Sequence, residues 1–186
     1  MENLQRINFE TVLSEQIGAD YYENDIIMLK DAAEIPVLLD AHLEGNLIVL
    51  CENGNATVYV NGEERQIHEN QIFISRPNVV LSDFETSDDF KFSVILISDR
   101  LLASSLKDNI TIWSNALYVQ NANVFDFESR LFEIKTASEK LIQFILCDRD
   151  SPFYKEKLFS MLNTFMLQIC EQILRNNGSR NMLSTT

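Results

Sequence analysis

The chain holds only two imidazoles, His42 and His68, so histidine-based acid–base or metal chemistry has little to draw on. Arg76, directly before Pro77, offers a fork of donors that suits an anion bound bidentately; its other reading is a surface turn arginine. Tyr59 stands between Val58 and Val60, where a ring with a hydroxyl tip suits either a pocket wall or an amphipathic strand face. His42 lies opposite the apolar face of its segment, a place for a solvent-facing histidine or for a ligand contact. His42, Tyr59 and Arg76 are therefore the candidate ligand-binding residues. Trp113 reads as a packing residue. The carboxylate pairs Glu63-Glu64 and Asp88-Asp89 sit beside turns and read as solvated, since a glycosidase pair needs a cleft around it. With five glycines the chain forms no dinucleotide fingerprint or phosphate loop, and it contains no GxSxG or HExxH. No catalytic residue, metal or cofactor is expected, and the chain is not expected to be an enzyme.

Composition narrows the partners. Fifteen Lys and Arg against 28 Asp and Glu leave a net charge of −13. The densest basic stretch, Lys155 to Lys157, is interrupted by Glu156. Phosphate backbones are held by clustered cations, so this chain is not expected to grip DNA itself. Cys51, Cys147 and Cys170 form no CxxC pair and sit in apolar stretches, which reads as buried thiols in a reducing compartment. Residues 1–6 lack a signal pattern, and no apolar run approaches the ~20 residues of a membrane span. A cytoplasmic protein with no membrane contact is the expectation.

The elements that must position these residues are short strands followed by helices. Residues 25–30, 37–43, 47–51, 56–60, 72–75, 79–84 and 90–97 are β-prone. Asn53-Gly54 and Asn61-Gly62 flank the fourth of them, and both residues of such a turn tolerate positive φ, which predicts an antiparallel meander. Residues 90–97 are apolar on both faces and should lie between a barrel interior and a covering layer. From about Val124 the period becomes helical, with Asp126 as N-cap and Phe127, Leu131, Ile134, Leu141 and Ile145 as the stripe. Ser151-Pro152 starts a second helix striped by Leu158, Leu162, Phe165, Ile169 and Ile173, and Gly178 should end it. The predicted fold is α+β, mainly β: a small antiparallel β-barrel followed by an antiparallel pair of helices.

The second helix is too broadly apolar for one neighbour. Phe159, Met166 and Cys170 extend its stripe, and Leu167 and Leu174 lie beyond it, so the apolar arc is about twice the ~100° that docking on one core requires. Phe159, Met166, Leu167, Cys170 and Leu174 are the candidate dimer interface, with the same helix of a second copy as partner. Complete cover by the preceding helix and connector is the other reading.

Metal-binding cupin barrels resemble this arrangement. Anchored on Gly54 and Pro77, their ligand places fall at Asp40, His42, Leu47 and Ser82, and one imidazole is not a metal site. Residues 36–40, 48–54, 58–62, 70–77 and 87–90, in that order and spacing, resemble the sensor domain of AraC-type regulators, with coverage of about residues 20–180. The resemblance implies a cupin-like barrel that binds a small-molecule effector, helices that form a homodimer, and DNA contact only through a C-terminal helix-turn-helix domain. On that reading the chain divides into an N-terminal arm (1–20), a sensor barrel (21–106), a connector (107–123), a two-helix dimerisation region (124–176) and a linker (177–186). Thr186 would then fall in the linker to a missing DNA-binding domain, in a truncated or a free-standing sensor. A cupin-type enzyme without a metal site and a non-catalytic interaction barrel are the alternatives.

Overall fold

The computed structural model describes residues 5–7, 20–30, 41–117 and 122–183. Among the described residues eleven strands form two sheets. The first joins β1 (Gln5–Ile7), β4 (Ala41–Leu43), β9 (Val79–Thr86), β6 (Asn55–Val60) and β7 (Glu63–His68) in that order. The second joins β11 (Ala122–Asp126), β8 (Gln71–Ser75), β5 (Asn46–Asn53), β10 (Lys91–Ile97), β3 (Ile26–Lys30) and β2 (Asp20–Tyr22). All pairings are antiparallel except β1 with β4. Helices follow: α1 (Asp99–Leu106), a single 3-10 turn, α2 (Ile110–Ala116), α3 (Ser129–Cys147) and α4 (Tyr154–Leu183).

Period-two alternation builds the core as two separate apolar layers. Phe92, Val94 and Leu96 of β10 face the other sheet, together with Val49 and Cys51 of β5 and Val58 and Val60 of β6. Ile95 and Ile97 face the opposite way, onto Leu101, Trp113, Ile142 and Phe165 of the helices. Residues 90–97 thus sit between two layers, as their sequence predicts. The buried apolar cluster between the sheets is joined, among the described residues, by the fully buried Ser75 on the inward side of β8. Asn61 and Gly62 both take positive φ and join the paired strands β6 and β7, as the predicted hairpin requires. Asn53-Gly54 instead carries the chain from one sheet to the other, so the predicted meander is broken there.

Several expectations are corrected. Val124 and Phe125 belong to strand β11, which pairs with β8, and α3 starts only at Ser129 with Glu128 as its N-cap residue. Asp126 is the last residue of that strand, not a helix cap. The α3 stripe holds at Ile145, which is buried, but fails earlier: Ile134 and Leu141 are 42% and 44% exposed, while Lys135, Ser138, Glu139, Ile142 and Leu146 are buried. Phase counted from Phe127, which precedes the helix, carries the error forward. The α4 stripe of Leu158, Leu162, Phe165, Ile169 and Ile173 is buried throughout. That helix runs on through Gly178 to Leu183, so Gly178 does not end it. β1 and β2 place parts of the predicted arm within the sheets, and α2 and β11 occupy most of the predicted connector. The remainder of the arm and the predicted strand residues 37–40 lie outside the described residues.

Cys51 and Cys170 are buried, whereas Cys147 is exposed at the end of α3, contrary to the expected burial of all three. Burial raises both inner thiols to about 11, in Cys51 against the lowering effect of a hydrogen bond to the Asn53 carbonyl. Thiolates are the reactive form. Native protein treated with a maleimide should therefore carry the label on Cys147, with Cys51 and Cys170 labelled only after unfolding; peptide mass mapping reads the difference.

Candidate functional site

His42 and Tyr59 stand on the outer face of the five-stranded sheet. Their strand neighbours Ala41, Leu43, Val58 and Val60 take the inward positions, and alternation sends His42 and Tyr59 the other way. The Tyr59 hydroxyl donates to Glu64 Oε2 at 3.2 Å, and that bond is the first cause of its raised pKa. Neither residue faces the interior between the sheets. Of the cupin ligand places, Leu47 is buried among the apolar residues there, and Asp40 lies outside the described residues. Among the described residues no group of three His, Cys, Asp or Glu is placed to hold a metal ion.

Arg76 is elsewhere, on the link between β8 and β9. It lines a pocket of about 340 Å³ closed by the start of β5, the start of α1 and one side of α2. Asn46 opens β5 as a buried polar residue, and its amide nitrogen donates to Asp99 Oδ1 at 2.7 Å. Asp99 is held there because Ser98 caps α1, its hydroxyl accepting from the Leu101 amide at 3.1 Å. Leu102, Ile110 and Trp113 supply the apolar wall. Trp113 is 3% exposed, and among the described residues its indole N–H has no hydrogen-bond acceptor. A buried donor in that state costs about 1–3 kcal/mol. Among the described residues Arg76 makes no ion pair, whereas Arg65, Arg100 and Arg175 all do. The three predicted ligand residues therefore do not converge: Arg76 enters a pocket, and Asn46, Asp99 and Trp113 join it. Asn46, a polar residue leading directly into an apolar run, is the one signal in sequence that could have marked this place.

A second hollow of about 350 Å³ lies between α1 and the start of α4, lined by Tyr22, Arg100, Lys155 and Phe159 among others. Its arginine is already engaged: Arg100 grips Asp25 through Nε and Nη2, and Ser98 donates to the same carboxylate at 2.6 Å. That bond to Asp25 is also the first cause of the raised pKa of the guanidinium.

The predicted dimer residues divide into two groups. Met166 and Cys170 are buried within this one chain, packed against the sheet and the other helices, so they are not available to a second copy. Leu167 and Leu174 point outward at 37% and 53% exposure, and Phe159 is partly covered by the ring of Tyr22. α3 adds outward apolar residues of its own, Ile134, Leu141 and Phe144. Among the described residues no helix is long and apolar enough to cross a membrane.

Solved structures similar to this chain include the AraC-like transcriptional activator CuxR, at 11% identity and a TM-score of 0.45 over 81% of this chain and 49% of that one. ToxT from Vibrio cholerae strain SCE256 with an unsaturated fatty acid bound gives 14% identity and a TM-score of 0.44, over 82% of this chain and 55% of that one. A cupin 2 conserved barrel domain protein from Leptotrichia buccalis gives 18% and 0.30, over 50% and 47%. The chain thus spans about half the length of these proteins. No curated protein sequence matches it. The family model of the AraC-like ligand binding domain matches residues 41–144, more than half of the chain, and the chain belongs to that family.

Proposed function

We propose that this chain is the effector-sensing and dimerisation module of an AraC-type transcription regulator, working on DNA through a separate helix-turn-helix domain and doing no chemistry on its effector. The observation that carries the dimer is the outward pair Leu167 and Leu174. They lie seven residues apart, two turns along one side of α4, a helix whose other sides pack on α1, α2, α3 and β11. A second copy of α4 would cover them in an isologous two-fold contact. The net charge of −13 supports leaving the DNA contact to another domain.

The test is the double change Leu167→Glu and Leu174→Glu. Both side chains are exposed in the single chain, so the variant should keep the wild-type fold by circular dichroism. Like charges brought together across a two-fold axis cost several kcal/mol, so association should weaken roughly a hundredfold or more in sedimentation analysis. A wild type that sediments as a monomer at tens of micromolar, or a variant that stays dimeric, removes this face from consideration.

A further inference from the structure

We propose that the pocket holding Arg76, Asp99 and Trp113 binds a small carboxylic acid with a hydrogen-bond donor on its α-carbon and an apolar side chain. The inference rests on the sensing function proposed above and names the chemical class that the pocket suits.

Three groups fix the class. Arg76 is a forked donor that makes no ion pair among the described residues. Trp113, whose own N–H is buried away from the hollow, gives its ring to the same pocket. A guanidinium fork on the rim of a hollow calls for an acceptor group, and a carboxylate with two oxygens is the compact form of it. The third group is Asp99, an acceptor already taking one hydrogen bond from Asn46. It repels a bare dianion and favours a ligand that brings an amino or hydroxyl donor beside its carboxylate. Leu102, Ile110 and the Trp113 ring then leave an apolar wall for a side chain. About 340 Å³ falls within the range of small-molecule sites.

The pocket is also placed to matter. Its walls come from β5 and the β8–β9 link on one side and from α1 and α2 on the other. Both of those helices pack on α4, the helix that carries Leu167 and Leu174. A ligand bridging the two sides would bias how the helices rest on the sheet, and through them the outward face of α4.

Trp113 is the only tryptophan in the chain, so its emission reports on the pocket directly. Leucine and 2-hydroxyisocaproate are titrated against the wild type, with isoamylamine lacking the carboxylate and 4-methylpentanoate lacking the α-donor. At least one of the first two should change the emission saturably at millimolar concentration or below, and isoamylamine should not. Loss of the α-donor should weaken binding severalfold. Arg76→Ala, a change at an exposed residue, should weaken the acid roughly tenfold or more while leaving the melting temperature of the free protein in place. Arg76→Lys, which keeps the charge and loses the fork, should fall between. The proposal fails if neither acid changes the emission, if isoamylamine binds as well as leucine, or if Arg76→Ala binds like the wild type. A different compound that stabilises the protein equally with and without Arg76 would also overturn this pocket, while leaving the sensing function standing.

Discussion

Replacing Lys135 by Met is expected to destabilise the fold by about 3–5 kcal/mol, because it strips a buried carboxylate of its cation. Lys135 and Glu139 lie one turn apart on the inner side of α3, both fully buried. Lys135 Nζ is 3.1 Å from Glu139 Oε2 and 3.7 Å from Glu52 Oε1, and it lies 4.4 Å from the centre of the Phe132 ring. Glu139 Oε1 accepts a hydrogen bond from Ser93 on β10 at 2.6 Å. The group thus fastens α3 to the outer face of the six-stranded sheet. The ion contact itself lacks hydrogen-bond alignment, so Coulomb attraction and the Ser93 bond offset only part of the desolvation. Methionine keeps most of the stem's packing, which leaves the charge as the main quantity removed.

The paired change Lys135→Met with Glu139→Leu separates charge from packing. With both charges gone nothing is left unpaired, and stability should return to within about 1–2 kcal/mol of the wild type. Urea unfolding followed through Trp113 measures all three proteins. A double variant as unstable as the single one would show that shape, not charge, holds α3 in place. pH adds an independent sign. Burial, outweighing Lys135 and Ser93, holds the Glu139 carboxyl above its ordinary value of 4.5. The folded state therefore binds this proton more tightly than the unfolded chain does. The resulting stabilisation is fully present below the ordinary carboxylate value and is lost as pH rises through the raised one. The wild type should lose stability relative to the double variant as pH rises from the ordinary carboxylate value through the raised one.

Lys135 and Glu139 also show why part of this fold was illegible in sequence. Two charged residues four apart on a helix normally mark its solvated side. Here they are the inner side, and Ile134 and Leu141 are outside, because the sheet beneath meets them with Ser93 and Glu52 rather than with apolar residues. That match is made between segments far apart in the chain. The same holds for β7, whose residues Glu63 to His68 are polar save for the inward Ile67, so an edge strand leaves almost no alternation to read. β11 reads as the start of a helix because Val124, Phe125 and Phe127 satisfy either period over so short a span. β5, β6, β8, β9 and β10 were legible, since each carries its own pattern, and Asn61-Gly62 fixes where β6 turns back into β7. At the pocket, Arg76 could be singled out by its fork of donors. Trp113 could not, because an unpaired indole N–H exists only once the wall around it has been built.

The two Asn-Gly turns look equivalent in sequence, yet alanine should cost far more at Gly54 than at Gly62. Both glycines take left-handed backbone, φ 74° and 82°, and that conformation alone costs an L-residue about 1–2 kcal/mol. At Gly62 a Cβ would meet nothing within 4 Å, so the loss should stop there. At Gly54 it would lie 2.5 Å from Ser87 Oγ, 2.8 Å from Asp89 Oδ1 and 2.9 Å from the Cα of Phe90. The first two are side-chain atoms that can swing aside, but the third is backbone. It is held in place, because Ser87 bonds back to Asn55 through its amide at 2.9 Å and Asn53 donates to the Asp89 carbonyl at 3.0 Å. Phe90 is further stacked on Phe92 at 4.7 Å, against the apolar layer between the sheets. Making room means parting two turns that are bonded to each other, so Gly54→Ala should lose about 3–4 kcal/mol in urea unfolding. Adding Ser87→Ala should not rescue it, since the Phe90 backbone still blocks the new methyl and the Asn55 amide loses its hydroxyl acceptor. Equal losses at the two glycines would mean that the residue 87–90 turn yields freely, and that the crowding at Gly54 constrains nothing.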